Sequence, residues 1–216
     1  MIVNLMDGEN ETEAFKTTYN PTGQVPILVD GDFTLWESAA IGFYLSERFS
    51  LPGNWLGRDM QERALIQQYT HFHSTMLRRG AGAFFYTRFA ECIWGPRDYS
   101  AEIAMGRYML EQSMPILETW LGRNDHLCGD EISFADLLAF HEFVSHEAGA
   151  IIPPEDWARF PRIRAWFERL QARPQARAVS GMIMEVGAMR QAGQMIPMTR
   201  RTSLAKGTAV RPGLPG

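Results

Sequence analysis

The chain has 216 residues, enough for one large domain or for a small domain joined to a larger one. Its 45% apolar and 21% charged content is that of a globular protein, and a formal net charge of -4 gives no overall attraction to nucleic acid or anionic membrane. Recognition must therefore come from a local site. Residues 1–15 carry too many acids and too short an apolar run for a signal or transit peptide, and no later segment has the apolar length of a membrane span. The only cysteines, Cys92 and Cys128, read as inert thiols in apolar helical stretches, which predicts a reduced, cytoplasmic protein without a disulfide framework.

In chain order, residues 2–6 read as a short strand, followed by Asp7-Gly8 and a weakly helical stretch over 11–19. Val25-Pro26-Ile27-Leu28-Val29 is a β-branched strand, Asp30-Gly31 a tight-turn dipeptide, and Phe33-Thr34-Leu35 the returning strand of a hairpin. Over 37–49 the apolar residues Ile41, Tyr44, Leu45 and Phe49 have the spacing of a helix with one buried face, and Leu51-Pro52-Gly53-Asn54 ends it. From Arg58 onward the pattern is all helical, over 59–91, 99–121, 133–148, 161–172 and 174–190. Ser133 with Asp136 forms a capping box with Ile132 as its hydrophobic staple, Pro161 suits a first helical position, and Pro174 closes one helix and opens the next. The expected organisation is a first unit over 1–50, a linker over 51–57, an all-α unit over 58–190, and a flexible tail over 191–216 rich in Gly, Pro, Arg and Thr.

The stretch from Asn20 to Ile41 is the most informative chemically. Pro26 stands one residue into a strand, where proline is tolerated if its missing N–H is not needed or if the bond before it is cis. A cis bond turns the Val25 main chain outward, freeing one N–H and one C=O for a peptide-like ligand. Glu37-Ser38 comes next at a helix start, where unpaired N–H groups and the positive end of the helix dipole favour a carboxylate. Ser38 adds a hydroxyl donor and Glu37 suits an ammonium, so the pair matches an α-amino-acid headgroup. Each feature alone also has an ordinary reading, a strand edge for Val25-Pro26 and a simple cap for Glu37-Ser38.

Taken together, this stretch resembles the glutathione-binding half of the thioredoxin-like domain of glutathione transferases, where a cis proline meets the cysteinyl backbone and a Glu-Ser or Asp-Ser pair holds the γ-glutamyl end. The likeness extends over residues 2–190, through Asp59-Met60-Gln61-Glu62-Arg63-Ala64, Ile132-Ser133-Phe134-Ala135-Asp136-Leu137, and Phe160-Pro161 to Pro174 with Trp166. Gly31-Asp32-Phe33-Thr34-Leu35 with Glu37-Ser38, and Leu77-Arg78-Arg79, are similar to the theta class. The resemblance implies an α/β thioredoxin-like N-terminal domain without its first strand and helix, followed by an all-α helical bundle domain. It implies glutathione as co-substrate, no metal, and thiolate conjugation or dehalogenation of small electrophiles. Gln24, Val25, Pro26, Glu37 and Ser38 would hold glutathione, and Arg78 would be the catalytic cation facing the sulfur, with an interhelix ion pair as an equal reading of Arg78. It further implies a homodimer, to which Phe72, Met76, Phe84, Phe85 and Phe89 would contribute unless they fill the chain's own core.

Several features depart from the family pattern. No residue corresponds to the hydroxyl, a serine in the theta class, that contacts the glutathione sulfur at the first strand-helix junction. The expectation is that Met1 is internal to a longer natural chain, with a truncated paralogue as the rival reading. A thiol with a pKa of about 8.5 is only a few per cent thiolate at neutral pH, so lacking that hydroxyl costs roughly tenfold in reactive species. A catalytically impaired binding or scaffold protein is therefore the alternative. Asn10 and Glu11 stand where theta members place a histidine and a lysine, leaving Gln24 and no positive charge at the glycine end of the tripeptide. His141-Glu142 and His146 suggest a zinc helix, but histidines five apart do not share a face, and solvated or capping roles are expected for them.

Overall fold

The computed structural model describes residues 3–88 and 96–192, so Ile2, Phe89, Cys92 and residues 193–216 lie outside it, as do the side chains of Phe84 and Phe85. The first segment is not a strand: Leu5–Asp7 is a turn of 3-10 helix. Asn4 causes this by folding onto the next turn of chain, its Nδ2 donating to Asp7 Oδ2 at 2.7 Å and its carbonyl accepting the Glu9 N–H at 3.2 Å. Helix α1 (Glu13–Thr18) starts at Thr12, whose hydroxyl accepts the Phe15 N–H at 3.2 Å.

Strands β1 (Ile27–Asp30) and β2 (Phe33–Trp36) pair antiparallel, Ile27 opposite Trp36 and Asp30 opposite Phe33, so the hairpin loop is Gly31-Asp32, one residue beyond the dipeptide marked in the sequence. Helix α2 (Ser38–Arg48) lies against this hairpin. Tyr44 Oη and Arg48 Nε both donate to Asp30 Oδ2, at 2.7 and 3.2 Å, and Tyr44 stacks obliquely on Phe33 at 5.1 Å.

The rest is helical. Asp59 caps α3 (Met60–Phe72), its Oδ1 accepting the N–H groups of Gln61 and Glu62 at 2.8 and 2.9 Å. The single helix expected over 59–91 is instead interrupted by a π turn (His73–Leu77) before α4 (Arg78–Gly80) and α5 (Gly82–Arg88). Beyond these lie α6 (Ser100–Trp120), α7 (Phe134–Gly149), α8 (Pro154–Arg159), α9 (Pro161–Gln171) and α10 (Pro174–Gln191). Helix α8 has no counterpart in the sequence reading, although Pro154 before Glu155 and Asp156 is a helix-start signal. Cys128 sits in a turn, not in a helix; its Sγ lies 3.5 Å from the Leu65 carbonyl, and burial pushes the thiol up to about 12, which leaves it unreactive. Among the described residues no helix is long and apolar enough to cross a membrane.

Helix α7 is the centre of the core. Its buried face of Ala135, Ala139, Phe140, Phe143 and Val144 meets Trp157, Ile163, Trp166 and Phe167, with Phe143 5.8 Å from both tryptophans. Phe72 packs on Trp120 at 5.0 Å and so serves the chain's own core. The start of α7 is tied by Asp136, which is fully buried and accepts from four donors. Ser133 N–H and Oγ reach Oδ2 at 2.9 and 3.0 Å, while Leu127 N–H and Trp166 Nε1 reach Oδ1 at 3.0 and 2.9 Å. The capping box is present, and its carboxylate also joins a loop and α9 to α7.

The linker and the hairpin unit meet the bundle at this same point. Asn54 Nδ2 donates to the Ile132 carbonyl at 2.6 Å, and Arg58 pairs with Glu131 at 2.5 Å. A Cβ on Gly42 would lie 2.0 Å from the Phe134 ring, so only glycine lets α2 approach, with Phe43 meeting Phe134 edge-on at 5.7 Å. In Asp136→Asn the amide nitrogen cannot accept, so two of the four donors lose their partner. A loss of about 2–4 kcal/mol is expected in urea unfolding. Gly42→Ala is expected to cost about 1–3 kcal/mol through overpacking, and Phe134→Ala in the same chain to recover part of that loss.

Candidate glutathione site

Ile27–Trp36 is the last rung of the hairpin, so Pro26 before it and Glu37 after it leave the same end of the sheet side by side. The Val25-Pro26 peptide is cis, as the sequence reading requires. Val25 is exposed, and among the described residues its main-chain N–H and C=O have no hydrogen-bond partner. The loop that delivers them is built on Asn20, which is 1% exposed. Asn20 Nδ2 donates to the Gln24 carbonyl at 2.9 Å, and its Oδ1 accepts Thr22 N–H and Oγ1 at 3.0 and 2.9 Å.

Gly23 completes the loop. It has φ +68°, and a Cβ there would lie 2.9 Å from the Asn10 carbonyl and 3.0 Å from Lys16 Cε. Asn10 Nδ2 donates to the Gly23 carbonyl at 2.7 Å, and the Lys16 ammonium, paired with Glu11 at 2.9 Å, sits beside this loop. A cation, paired with Glu11, therefore stands beside Gly23. It comes from α1, where spacing along the chain does not reveal it.

Across the hairpin end, Glu37 has φ 73° and ψ 113° and makes no side-chain capping bond. Such a conformation in a non-glycine residue costs about 1–3 kcal/mol and persists only where its surroundings enforce it. Here the Glu37 carbonyl accepts the Ile41 N–H at 2.9 Å, fixing the first turn of α2 and leaving the N–H groups of that turn uncapped beside Ser38. Glu37 and Ser38 are both exposed. Gln24, Val25, Pro26, Glu37 and Ser38 thus gather at one end of one hairpin, with peptide-pairing groups on one side and an open helix start on the other.

Arg78 lies in the helical unit and makes the interhelix ion pair that the sequence left as its second reading. Its Nη1 donates to Glu142 Oε1 and Oε2 at 3.0 and 3.3 Å, while its side chain remains 68% exposed. Glu142 is buried; His73 Nε2 reaches the same Oε1 at 3.4 Å, and the Tyr69 hydroxyl lies 3.5 Å from His73 Nδ1. Burial raises the Glu142 carboxyl, but the His73 hydrogen bond and the Arg78 charge outweigh burial and hold it below its ordinary value. Sequence reasoning passed over Lys16, and it set Glu142 aside with the histidines as solvated or capping, whereas Glu142 is buried and paired with His73 and Arg78. The available signal for Glu142 was a carboxylate between Ala139 and Phe143 on the apolar face of α7.

His146 requires a correction. It is neither solvated nor a cap: it is fully buried against Phe143, and neither ring nitrogen has a hydrogen-bond partner among the described residues. The apolar packing of α7 left no polar neighbour in reach of either nitrogen, and burial lowers its pKa to about 4.

A small thioredoxin-like layer with a cis-proline hairpin, seated on an all-α bundle, defines a protein of the glutathione-conjugating type. Residues 2–47 match the family model "Glutathione S-transferase, N-terminal domain", and residues 91–174 match "Glutathione S-transferase, C-terminal domain". The chain is 47% identical over 219 residues to dichloromethane dehalogenase of Methylorubrum extorquens, covering 98% of this chain and 76% of that protein. It is 34% identical over 172 residues to glutathione S-transferase theta-1 of Mus musculus, covering 79% of this chain and 70% of that protein. A human theta-class glutathione transferase in complex with the glutathione conjugate of 1-menaphthyl sulfate superposes with a TM-score of 0.77 at 26% identity, over 92% of this chain and 80% of that one. The chain belongs to the glutathione S-transferase family and is theta-like within it.

The His146 pKa is depressed from 6.5 to about 4 in the fold, so the unfolded chain binds the extra proton first. Its contribution to stability is complete above about pH 6.5 and is lost as the pH falls toward about 4, of order 3 kcal/mol in all. Urea midpoints compared at neutral and mildly acid pH are expected to diverge less in His146→Leu than in the wild type.

Proposed function

We propose that this protein is a cytoplasmic, homodimeric glutathione transferase that uses the glutathione thiolate to conjugate or dehalogenate small electrophiles. The observation that carries this is the convergence of Val25-Pro26 and Glu37-Ser38 on one end of the β1–β2 hairpin. In this reading the free Val25 main chain pairs with the cysteinyl backbone. The uncapped first turn of α2 and the Ser38 hydroxyl take the γ-glutamyl carboxylate, and Glu37 takes the neighbouring ammonium. Gln24 and Lys16 serve the glycine carboxylate.

Arg78 faces the sulfur, with one guanidinium nitrogen held by Glu142 and its exposed remainder directed to negative charge. The thiol proton passes to solvent; the sulfur then attacks the carbon, a C–S bond forms, the carbon–halogen bond breaks, and the halide leaves with the bonding pair. A cation at the departing anion stabilises charge that develops only as the bond breaks. The relative at 47% identity is a dichloromethane dehalogenase, which makes halogenated alkanes the electrophile class to try first.

A second reading, a glutathione-binding or scaffold protein impaired in catalysis, draws on one observation. Val29 and Trp36 on one face of the hairpin, Phe33 on the other and Phe49 at the end of α2 leave exposed apolar side chains, at 50%, 37%, 46% and 65% exposure. Halide release from dichloromethane and glutathione distinguishes the two: no acceleration over free glutathione contradicts the enzyme and leaves the binding protein. Under either reading Ser38→Ala is expected to weaken glutathione binding about tenfold in calorimetry, as for one lost hydrogen bond to a charged group, with an unchanged thermal midpoint.

A further inference from the structure

Two carboxylates are buried among the described residues, Asp136 and Glu142. The four donors around Asp136 account for it structurally. Glu142 instead meets His73 and Arg78, two side chains five positions apart on one chain segment. In a regular α-helix such residues lie on different faces. Here His73–Leu77 is a π turn, and the Arg78 N–H donates to the His73 carbonyl, which sets residue 78 directly above residue 73. The extra residue in that turn is what brings both side chains to a single carboxylate.

The consequence for Arg78 is geometric. A solvent-exposed arginine samples many rotamers, and ordering its side chain costs up to about 2 kcal/mol. Glu142 is buried within α7 and its Oε1 also lies 3.4 Å from His73 Nε2, so it offers Nη1 a partner with little freedom while the Arg78 side chain remains 68% exposed. The ion pair adds no net positive charge, so what it contributes is a fixed position.

We infer that Glu142, supported by His73 on the π turn, is the positioning residue that holds the Arg78 guanidinium toward the sulfur of bound glutathione and the departing anion. This rests on the reading of Arg78 given above. Glutathione sulfonate, which carries negative charge at the sulfur position, and S-methylglutathione, which carries none, separate the two claims. Calorimetric affinities for both are measured on the full chain for wild type, Arg78→Ala, Glu142→Gln, Glu142→Asp and the Arg78→Ala/Glu142→Gln double variant, beside kcat and KM for glutathione and thermal unfolding.

The wild type is expected to prefer the sulfonate by about tenfold, the size of one charge-assisted hydrogen bond. Arg78→Ala and Glu142→Gln should each abolish that preference, with the double variant no worse than either. Affinity for S-methylglutathione should hold, kcat should fall about tenfold or more at unchanged KM, and Glu142→Asp should recover part of both losses. If Arg78→Ala loses the preference while Glu142→Gln keeps it, the positioning inference is wrong and Arg78 still acts at the sulfur. If the wild type lacks the preference, or Arg78→Ala keeps it, the reading of Arg78 fails and the inference falls with it. Equal weakening of both ligands in Glu142→Gln marks a purely structural carboxylate and also overturns it. Should Glu142→Gln not fold, Glu142→Asp decides: full wild-type preference at wild-type kcat rejects positioning, and a partial loss of both supports it.

Discussion

The buried carboxylate of Asp136 is the point to which both halves of the molecule are referred. A carboxyl group in a dry interior is tolerated only when its oxygens find partners, and here donors from the 127 loop, from Ser133 and from Trp166 on α9 supply them. The geometry they impose determines where α7 begins. The residues just before and at that beginning, Glu131, Ile132 and Phe134, are those met by Arg58, by Asn54 of the linker and by Gly42 of the hairpin unit. Further along the same helix stands Glu142. The open hairpin end and the Arg78 ion pair therefore share one mechanical reference, although they lie on different units of the chain.

The candidate site is assembled from features that a structure selected only for stability would avoid. Glu37 carries a positive φ without being glycine, the first turn of α2 lacks a side-chain cap, and the Val25 main chain has no partner among the described residues. The unpaired groups could be satisfied by a ligand with complementary groups, while the Glu37 strain is a standing cost, and all three lie at the exposed rim of a hairpin with little core of its own. The helical unit shows the opposite economy. Its tryptophan and phenylalanine cluster around α7 encloses His146, whose ring nitrogens have no hydrogen-bond partner among the described residues and whose pKa burial lowers to about 4.

Much of this was legible in residue order because it is local. The hairpin, α2 and its Glu37-Ser38 start, the Ser133–Asp136 capping box, and the proline-led α9 and α10 all arise from short-range patterns that the fold keeps. Residues 3–6 do not adopt the strand pattern because Asn4 offers the backbone local hydrogen bonds instead, and Cys128 left its apolar stretch for a turn. The π turn escaped notice because a one-residue insertion in a helix leaves the apolar spacing almost unchanged on either side of it.

The sequence by itself determined which chemical groups exist and which neighbours within a few residues can meet: a proline inside a strand, a Glu-Ser pair at a helix start, a cap three residues from its partner. Only the tertiary structure decided which distant groups share a volume. It brought Lys16 to Gly23, Glu142 to both His73 and Arg78, and Trp166 to Asp136, and it placed His146 out of reach of any hydrogen-bond partner among the described residues. The reason is physical: short-range geometry is set by covalent bonds and backbone dihedrals, whereas contacts between segments depend on how helices pack, and that is a property of the whole core.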